Sequence, residues 1–264
     1  MNELIGYSCA ALIGISLGLT GSGGSILTVP ILVYLFHFSP LIATSYSLFI
    51  VGSTSLVGAI HSHINKLIDL RIALLFGLPS VITVFLTRKF LLPAIPEHIA
   101  TLGNHEIYFS SVTMILFGLL MLVASLFILH PAHNWRKPIH TERTALFYGT
   151  SIGLLTGFLG AGGGFLLIPA LILFLGVEMK KAVGISLLII TLNSLVGFLG
   201  DVGSFAIDWP FLALITAIAV AGIFIGSLFS KKIKADKLKK AFGWLVLAMA
   251  VYILAKEVFI LFSV

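Results

Sequence analysis

Charge is what this chain has least of. Only 10% of its 264 residues are charged, against about a quarter in soluble domains. Hydrophobic residues make up 59%, and the mean hydropathy is +1.14. A soluble core of this length could not hide so much apolar surface, whereas a hydrocarbon solvent removes the difficulty. Cysteine is nearly missing as well. Cys9 alone excludes an intrachain disulfide framework and a multi-thiolate metal site. The start of the chain, Asn2-Glu3, lacks the basic residues of a signal peptide, and no Ala-x-Ala cleavage site follows the apolar run at 4–20. That run reads as retained.

Enzyme signatures are lacking too. The glycine clusters have no Gly-Lys-Ser/Thr ending, nothing resembles His-Glu-x-x-His, and no facing set of acid, base and nucleophile can be assembled. No catalytic residue, cofactor, metal or nucleic-acid partner is expected.

What is present is a series of apolar runs, at about 4–20, 26–38, 41–60, 69–92, 109–130, 144–159, 165–177, 182–200, 207–229 and 241–262. Most approach the roughly 20 residues that cross a bilayer. The runs 4–20 and 26–38, and again 144–159 and 165–177, are short and separated by glycine clusters. These clusters are one object repeated. Gly18-Leu-Thr-Gly21-Ser-Gly23-Gly24 and Pro30 align without a gap onto Gly157-Phe-Leu-Gly160-Ala-Gly162-Gly163 and Pro169, at a constant offset of 139. The same offset pairs Ser47 with Ser186, Thr54 with Asn193, Gly58 with Gly197 and Asp69 with Asp208. The expected fold is an all-α integral membrane protein of two repeats, each a glycine-broken helical hairpin plus three transmembrane helices. Repeat 1 covers 1–130 (hairpin 4–38), a linker 131–143, and repeat 2 covers 144–264 (hairpin 144–177).

The basic residues choose the orientation. If each hairpin enters and returns on one face, all of the 16 Lys and Arg except Arg88, Lys89 and Lys256 share one side. If 4–38 is one long span, the split is 10 to 6. The positive-inside rule prefers the first arrangement. The repeats are then inverted, the linker and Lys231–Lys240 are cytoplasmic, and both termini are extracytoplasmic.

A glycine inside a helix costs roughly 1 kcal/mol against alanine. Close helix packing can explain scattered glycines; two matched clusters fit a functional break better. A break frees backbone N–H groups at the positive end of the following half-helix, which suits an anion. Interrupted segments at matching places in inverted halves point to a transporter's midplane site. No Lys or Arg lies centrally in any apolar run, so the anion is expected to rest on amides and neutral donors. The candidates are Thr20, Gly21, Ser22, Gly23, Gly24 and Ser25 in the first break, and Gly160, Gly162, Gly163 and Gly164 in the second. Ser47 and Thr54, with their counterparts Ser186 and Asn193, follow on the next helices, where interhelical hydrogen bonding is the competing role.

Other polar residues read more plainly. His61, His63 and Asp201 lie near run ends and are expected to be solvated, although a proton relay there is conceivable. Asp69 and Asp208 are expected to cap helix starts. Lys231–Lys240 reads as a topology determinant that meets anionic lipid headgroups. Trp135, Trp209 and Trp244 fit interfacial anchors.

The two glycine segments, each followed by proline, and Asn193-Ser-Leu-Val-Gly-Phe-Leu-Gly200 with Asp208-Trp209 resemble the TauE/SafE sulfite exporter family over essentially the whole chain. The resemblance implies a transporter of sulfite, sulfonates or related organosulfur anions in the bacterial inner membrane. One departure is visible: Ser25 stands where the second cluster has Gly164. Export down the membrane potential gains about 2.3 kcal/mol per charge per 100 mV. Uptake needs a coupled cation such as a proton, and the sequence offers no evident intramembrane carboxylate for it, which favours export. Proton-coupled uptake and a non-transporting scaffold are the alternatives. A homodimer is compatible with the sequence.

Overall fold

The computed structural model describes residues 10–18, 25–102, 105–129, 142–160, 162–230 and 235–262. Its first helix, α1 (10–18), is followed by α2 (Ser25–Tyr34), α3 (Pro40–Ile64) and α4 (Leu70–Leu86). A π-helical turn, Thr87–Leu91, and the short α5 (Leu92–Ala94) extend α4. After a β-hairpin come α6 (Phe109–Leu129), α7 (Glu142–Leu159), α8 (Gly164–Leu175), α9 (Met179–Asp201), α10 (Trp209–Ser230) and α11 (Ala235–Phe262). Among the described residues, five helical stretches are long and apolar enough to cross a membrane, namely Pro40–Ile64, Leu70–Ala94, Phe109–Leu129, Lys180–Asp201 and Trp209–Gly226. Many large hydrophobic side chains on them face outward, among them Leu74, Leu78, Ile82, Leu119 and Phe224. In water these would be a liability; in lipid they are the solvated surface.

Two features depart from the expected layout. The stretch 93–108, which falls between the apolar runs 69–92 and 109–130, holds an antiparallel hairpin of β1 (His98–Leu102) and β2 (His105–Tyr108). The lysine-rich stretch up to 240 is not all loop, because α11 is already helical from Ala235.

At the centre, α3 packs along α9. Small residues set the spacing: a side chain at Gly58 would press on Leu187, and one at Gly197 on Leu48. The two contacts are one contact under the offset of 139. The early part of α3 thus meets the late part of α9, so the helices run antiparallel. The pair α6 and α11 does the same, with Gly118 against Leu254 and Gly243 against Ile128 and Leu129. Flanking packing is also reciprocal. Gly14 of α1 abuts the Ala219 carbonyl of α10, and its counterpart Gly153 of α7 abuts the Ser80 carbonyl of α4. Glycine is required at such places because the contact is with backbone, which cannot yield.

The helix starts repeat as well. Asp69 accepts from the Arg71 and Ile72 N–H groups at 3.0 and 3.3 Å, and Asp208 accepts from the Phe211 N–H at 3.1 Å. Ile72 and Phe211 are themselves offset partners, so both aspartates are caps, as expected. His61 and His63 are exposed at the end of α3, and Trp209 and Trp244 face outward. Cys9 and Trp135 lie outside the described residues.

Candidate functional site

α7 stops at a backbone that only glycine adopts easily. Gly160, Gly162 and Gly163 have φ values of 65°, 64° and 69°, in the left-handed region that costs other residues roughly 1–2 kcal/mol each. The Gly160 N–H closes α7 on the Thr156 carbonyl at 2.9 Å, and the Gly163 carbonyl opens α8 by accepting from Leu166 and Leu167 at 3.0 Å. The first N–H groups of α8 have no acceptor within their own helix. Pro169 follows inside α8. Gly162 lies against Val51, near the middle of α3, and against Ser194 and Ile190 of α9. The break therefore sits at the level of the central helix crossing.

The π turn beside it is rare geometry, found disproportionately at functional sites. It carries Arg88, whose side chain is fully buried. Two glycines clear its path: a Cβ at Gly200 would lie 3.0 Å from the Arg88 Cβ, and one at Gly157 would lie 2.8 Å from the Thr87 Cβ. Arg88 Nη1 donates to Asp201 Oδ2 at 3.0 Å and to Thr44 Oγ1 at 3.2 Å. A lone buried cation would be far too costly; pairing with Asp201 makes this one tolerable. The pair does not use up the guanidinium. Arg88 Nε and Nη2 have no hydrogen-bond partner among the described residues.

Of these donors, Nη2 faces the glycine break. A Cβ on Gly160 would lie 2.6 Å from Arg88 Nη2, one on Gly162 would lie 2.8 Å from Ser194 Oγ, and one on Gly163 would collide with Thr156 Oγ1. Ser194 Oγ and Thr156 Oγ1 are likewise buried and without partners among the described residues. Three elements thus each bring an unsatisfied polar group to the same turn of backbone. Buried polar groups are normally satisfied, and a compact oxyanion with several acceptor oxygens would satisfy donors of this kind together.

Two expectations are corrected. Buried positive charge was not expected, because Arg88-Lys89 falls near the end of an apolar run; Arg88 in fact lies inside the bundle. Asp201 was expected to be solvated, but it is buried as the counterion of Arg88. Their separation of 113 residues hides the pairing from any local pattern. A signal was nevertheless available in the repeat. Arg88 aligns with Ser227 and Asp201 with Ser62, so both charges break the duplication.

The other sequence candidates are spread more widely. Thr20, Gly21, Ser22, Gly23 and Gly24 lie outside the described residues, while Ser25 is buried at the start of α2. Gly164 begins α8 at the break. Thr54 Oγ1 and Ser186 Oγ donate to their own helix backbones, at Ile50 (2.7 Å) and Val183 (2.9 Å). Ser47 Oγ is buried with no partner among the described residues. Asn193 Nδ2 donates to Ser80 Oγ at 2.7 Å, tying α9 to α4, while its Oδ1 is unpartnered among the described residues. Among the described residues no cluster of three metal-ligating side chains occurs.

Several apolar helices of membrane-crossing length, with a polar break and a buried ion pair between them, mark a multi-pass membrane protein of the transporter class. The chain belongs to the sulfite exporter TauE/SafE family, whose model matches residues 7–253. It is 28% identical over 259 residues to a probable membrane transporter protein of Xylella fastidiosa (strain 9a5c), covering 95% of this chain and 94% of that one. It is 26% identical over 233 residues to the probable membrane transporter protein YdhB of Bacillus subtilis (strain 168), covering 87% and 91%. A probable membrane transporter protein of Methanocaldococcus jannaschii is 32% identical over 195 residues, covering 71% and 68%. No solved structure matches the chain significantly. It is a transporter-family protein and not an enzyme.

Proposed function

We propose that the protein carries a small sulfur-containing oxyanion, such as sulfite or a sulfonate, across a bacterial inner membrane by alternating access. The break at Gly160–Gly164 is the core of its binding site. The observation that carries this reading is the convergence on that break of Arg88, Thr156 and Ser194 groups that have no partner among the described residues. Arg88 supplies the charge, the α8 amides supply oriented donors, and the hydroxyls complete the shell. The family's description supports sulfite or a related anion as cargo.

The two repeats are inverted in this reading. Offset partners α3 and α9 run antiparallel to one another, as do α6 and α11, whereas repeats of equal orientation would keep such partners parallel. The linker at 131–143 and the lysines at 231–240 then lie in the cytoplasm and both termini outside. The first cluster, Thr20 to Ser25, provides the second half of the site. Ser55, buried and without a partner among the described residues, is the counterpart of Ser194 under the offset. Ser47 and Asn193 serve as neighbouring donors.

The preference for export rested on the lack of an intramembrane carboxylate. Asp201 removes that ground, so direction follows whichever gradient the protein couples to.

Uptake of labelled sulfite and methanesulfonate into proteoliposomes tests the reading. Saturable flux is expected for at least one of them, and Gly163→Leu should abolish it while the protein still elutes as a folded species in detergent. Wild-type affinity in that variant would remove the break from the site. No saturable flux of any small oxyanion would sink the transporter assignment.

A further inference from the structure

The Arg88–Asp201 pair leaves the empty site electrically neutral, and this bears on what can accompany the anion. Arg88 is the only buried cationic side chain among the described residues. An oxyanion arriving at its free Nε and Nη2 would share one guanidinium with the Asp201 carboxylate. The buried cluster would then carry a net negative charge in a low-dielectric setting, which is strongly unfavourable unless a proton neutralises one partner. A sulfonate is too weak a base to accept that proton, so the carboxylate accepts it.

Among the described residues, few polar or charged groups surround Asp201. Arg88 and Lys89 come from the π turn, and Thr44 and Ser45 from α3. Lys89 is exposed and outside the pair, while Thr44 Oγ1 already donates to the Leu41 carbonyl at 2.9 Å. Ionisable side chains inside a membrane bundle commonly mark such relays.

Resting on the anion site described above, we infer that Asp201 is the proton carrier of the transport cycle: it holds Arg88 when the site is empty and takes up a proton when an anion replaces it. The balance is simple. A proton from the side of anion entry bonds to an Asp201 carboxylate oxygen, and both leave together on the other side as the Arg88–Asp201 ion pair reforms. The empty and loaded sites are both neutral, so one monoanion moves with one proton and no net charge crosses. The cycle is electroneutral symport, driven by the pH gradient and insensitive to voltage.

The test uses the purified full chain in proteoliposomes, with labelled methanesulfonate as an anion that cannot carry the proton itself and labelled sulfite as a second probe. With voltage clamped, wild-type accumulation is expected to follow an imposed pH gradient by about tenfold per pH unit. A voltage imposed at equal pH should leave it unchanged, whereas a uniported monoanion would respond by about fiftyfold per 100 mV. Asp201→Asn should retain counterflow exchange, lose the pH response and become voltage-driven, because its empty site carries an uncompensated positive charge. Wild-type flux that follows voltage and ignores pH would overturn the proton carrier while leaving the anion site standing. So would a pH response that survives in Asp201→Asn. Should that variant fail to fold, the wild-type measurement still decides, with Asp201→Glu expected to keep the pH response. Absence of saturable flux for both probes would instead defeat the anion reading on which the inference rests.

Discussion

The two halves of this chain repeat their scaffold but not their chemistry. Caps, proline-bearing half-helices and glycine contacts recur at an offset of 139. The ion pair does not: Arg88 and Asp201 correspond to Ser227 and Ser62, Ser80 to Ala219, and Thr44 to Val183. The lesson is that packing constraints act on both halves alike, because both must build the same helix crossings. A single charged pair at one end of one break is enough to give the symmetric frame a polarity.

The largest effect should come from breaking that asymmetry. Arg88→Gln strands a buried carboxylate, so thermal unfolding in detergent should report a loss of about 3–5 kcal/mol. Flux should fall by roughly a hundredfold or more, as expected for loss of a charge-assisted contact worth about 3 kcal/mol. Combining it with Asp201→Asn should restore most of the stability and none of the flux. Ser62→Ala, at the matching place in the other half, should cost under about 1 kcal/mol and leave flux intact.

Next comes the backbone of the break. Gly160→Ala should abolish flux, because its new methyl would enter the space of Thr44 and Arg88 besides straining a left-handed φ. Gly203→Ala is the control: it shares the positive φ, at 92°, but faces open space. It should lose only the roughly 1–2 kcal/mol of backbone strain, with transport unchanged. Equal flux defects in the two variants would argue that strain, and not the site, is what matters.

The scaffold should answer symmetrically. Gly58→Ala and Gly197→Ala meet matched leucines, so each should destabilise by about 1–3 kcal/mol. Gly197→Ala should be the worse, since its methyl would also press on Val84 at 2.7 Å. Smallest of all, Asp69→Ala and Asp208→Ala should each cost about 1 kcal/mol of stability through a lost cap, without altering affinity. A large gap between the two would show that the repeats are less alike than their contacts.

What was legible in the sequence was what repeats or is local. Glycine clusters in register disclosed the second break, and aspartates ahead of matched helices disclosed the caps. The membrane class followed from composition alone. The cation of the site was not legible, because its burial depends on a carboxylate on another helix. An Arg-Lys pair near the end of an apolar run has the same local appearance as a span boundary. Asn193 illustrates the middle ground: its buried amide was foreseen, whereas the bond to Ser80 required α4 to be in place. The hairpin at 98–108 escaped because it is too short for an alternating pattern to stand out.

The π turn at Thr87–Leu91 holds one residue more than a regular helix would need. Each residue advances an α-helix by about 100°, so deleting one between Leu86 and Leu92 would let the helix run on in register. Arg88 or its replacement would then point along a different azimuth, while the residues beyond the turn kept their register. By chain length, this protein is thus a single codon away from a tidier helix whose positive charge misses the gap between α7 and α8.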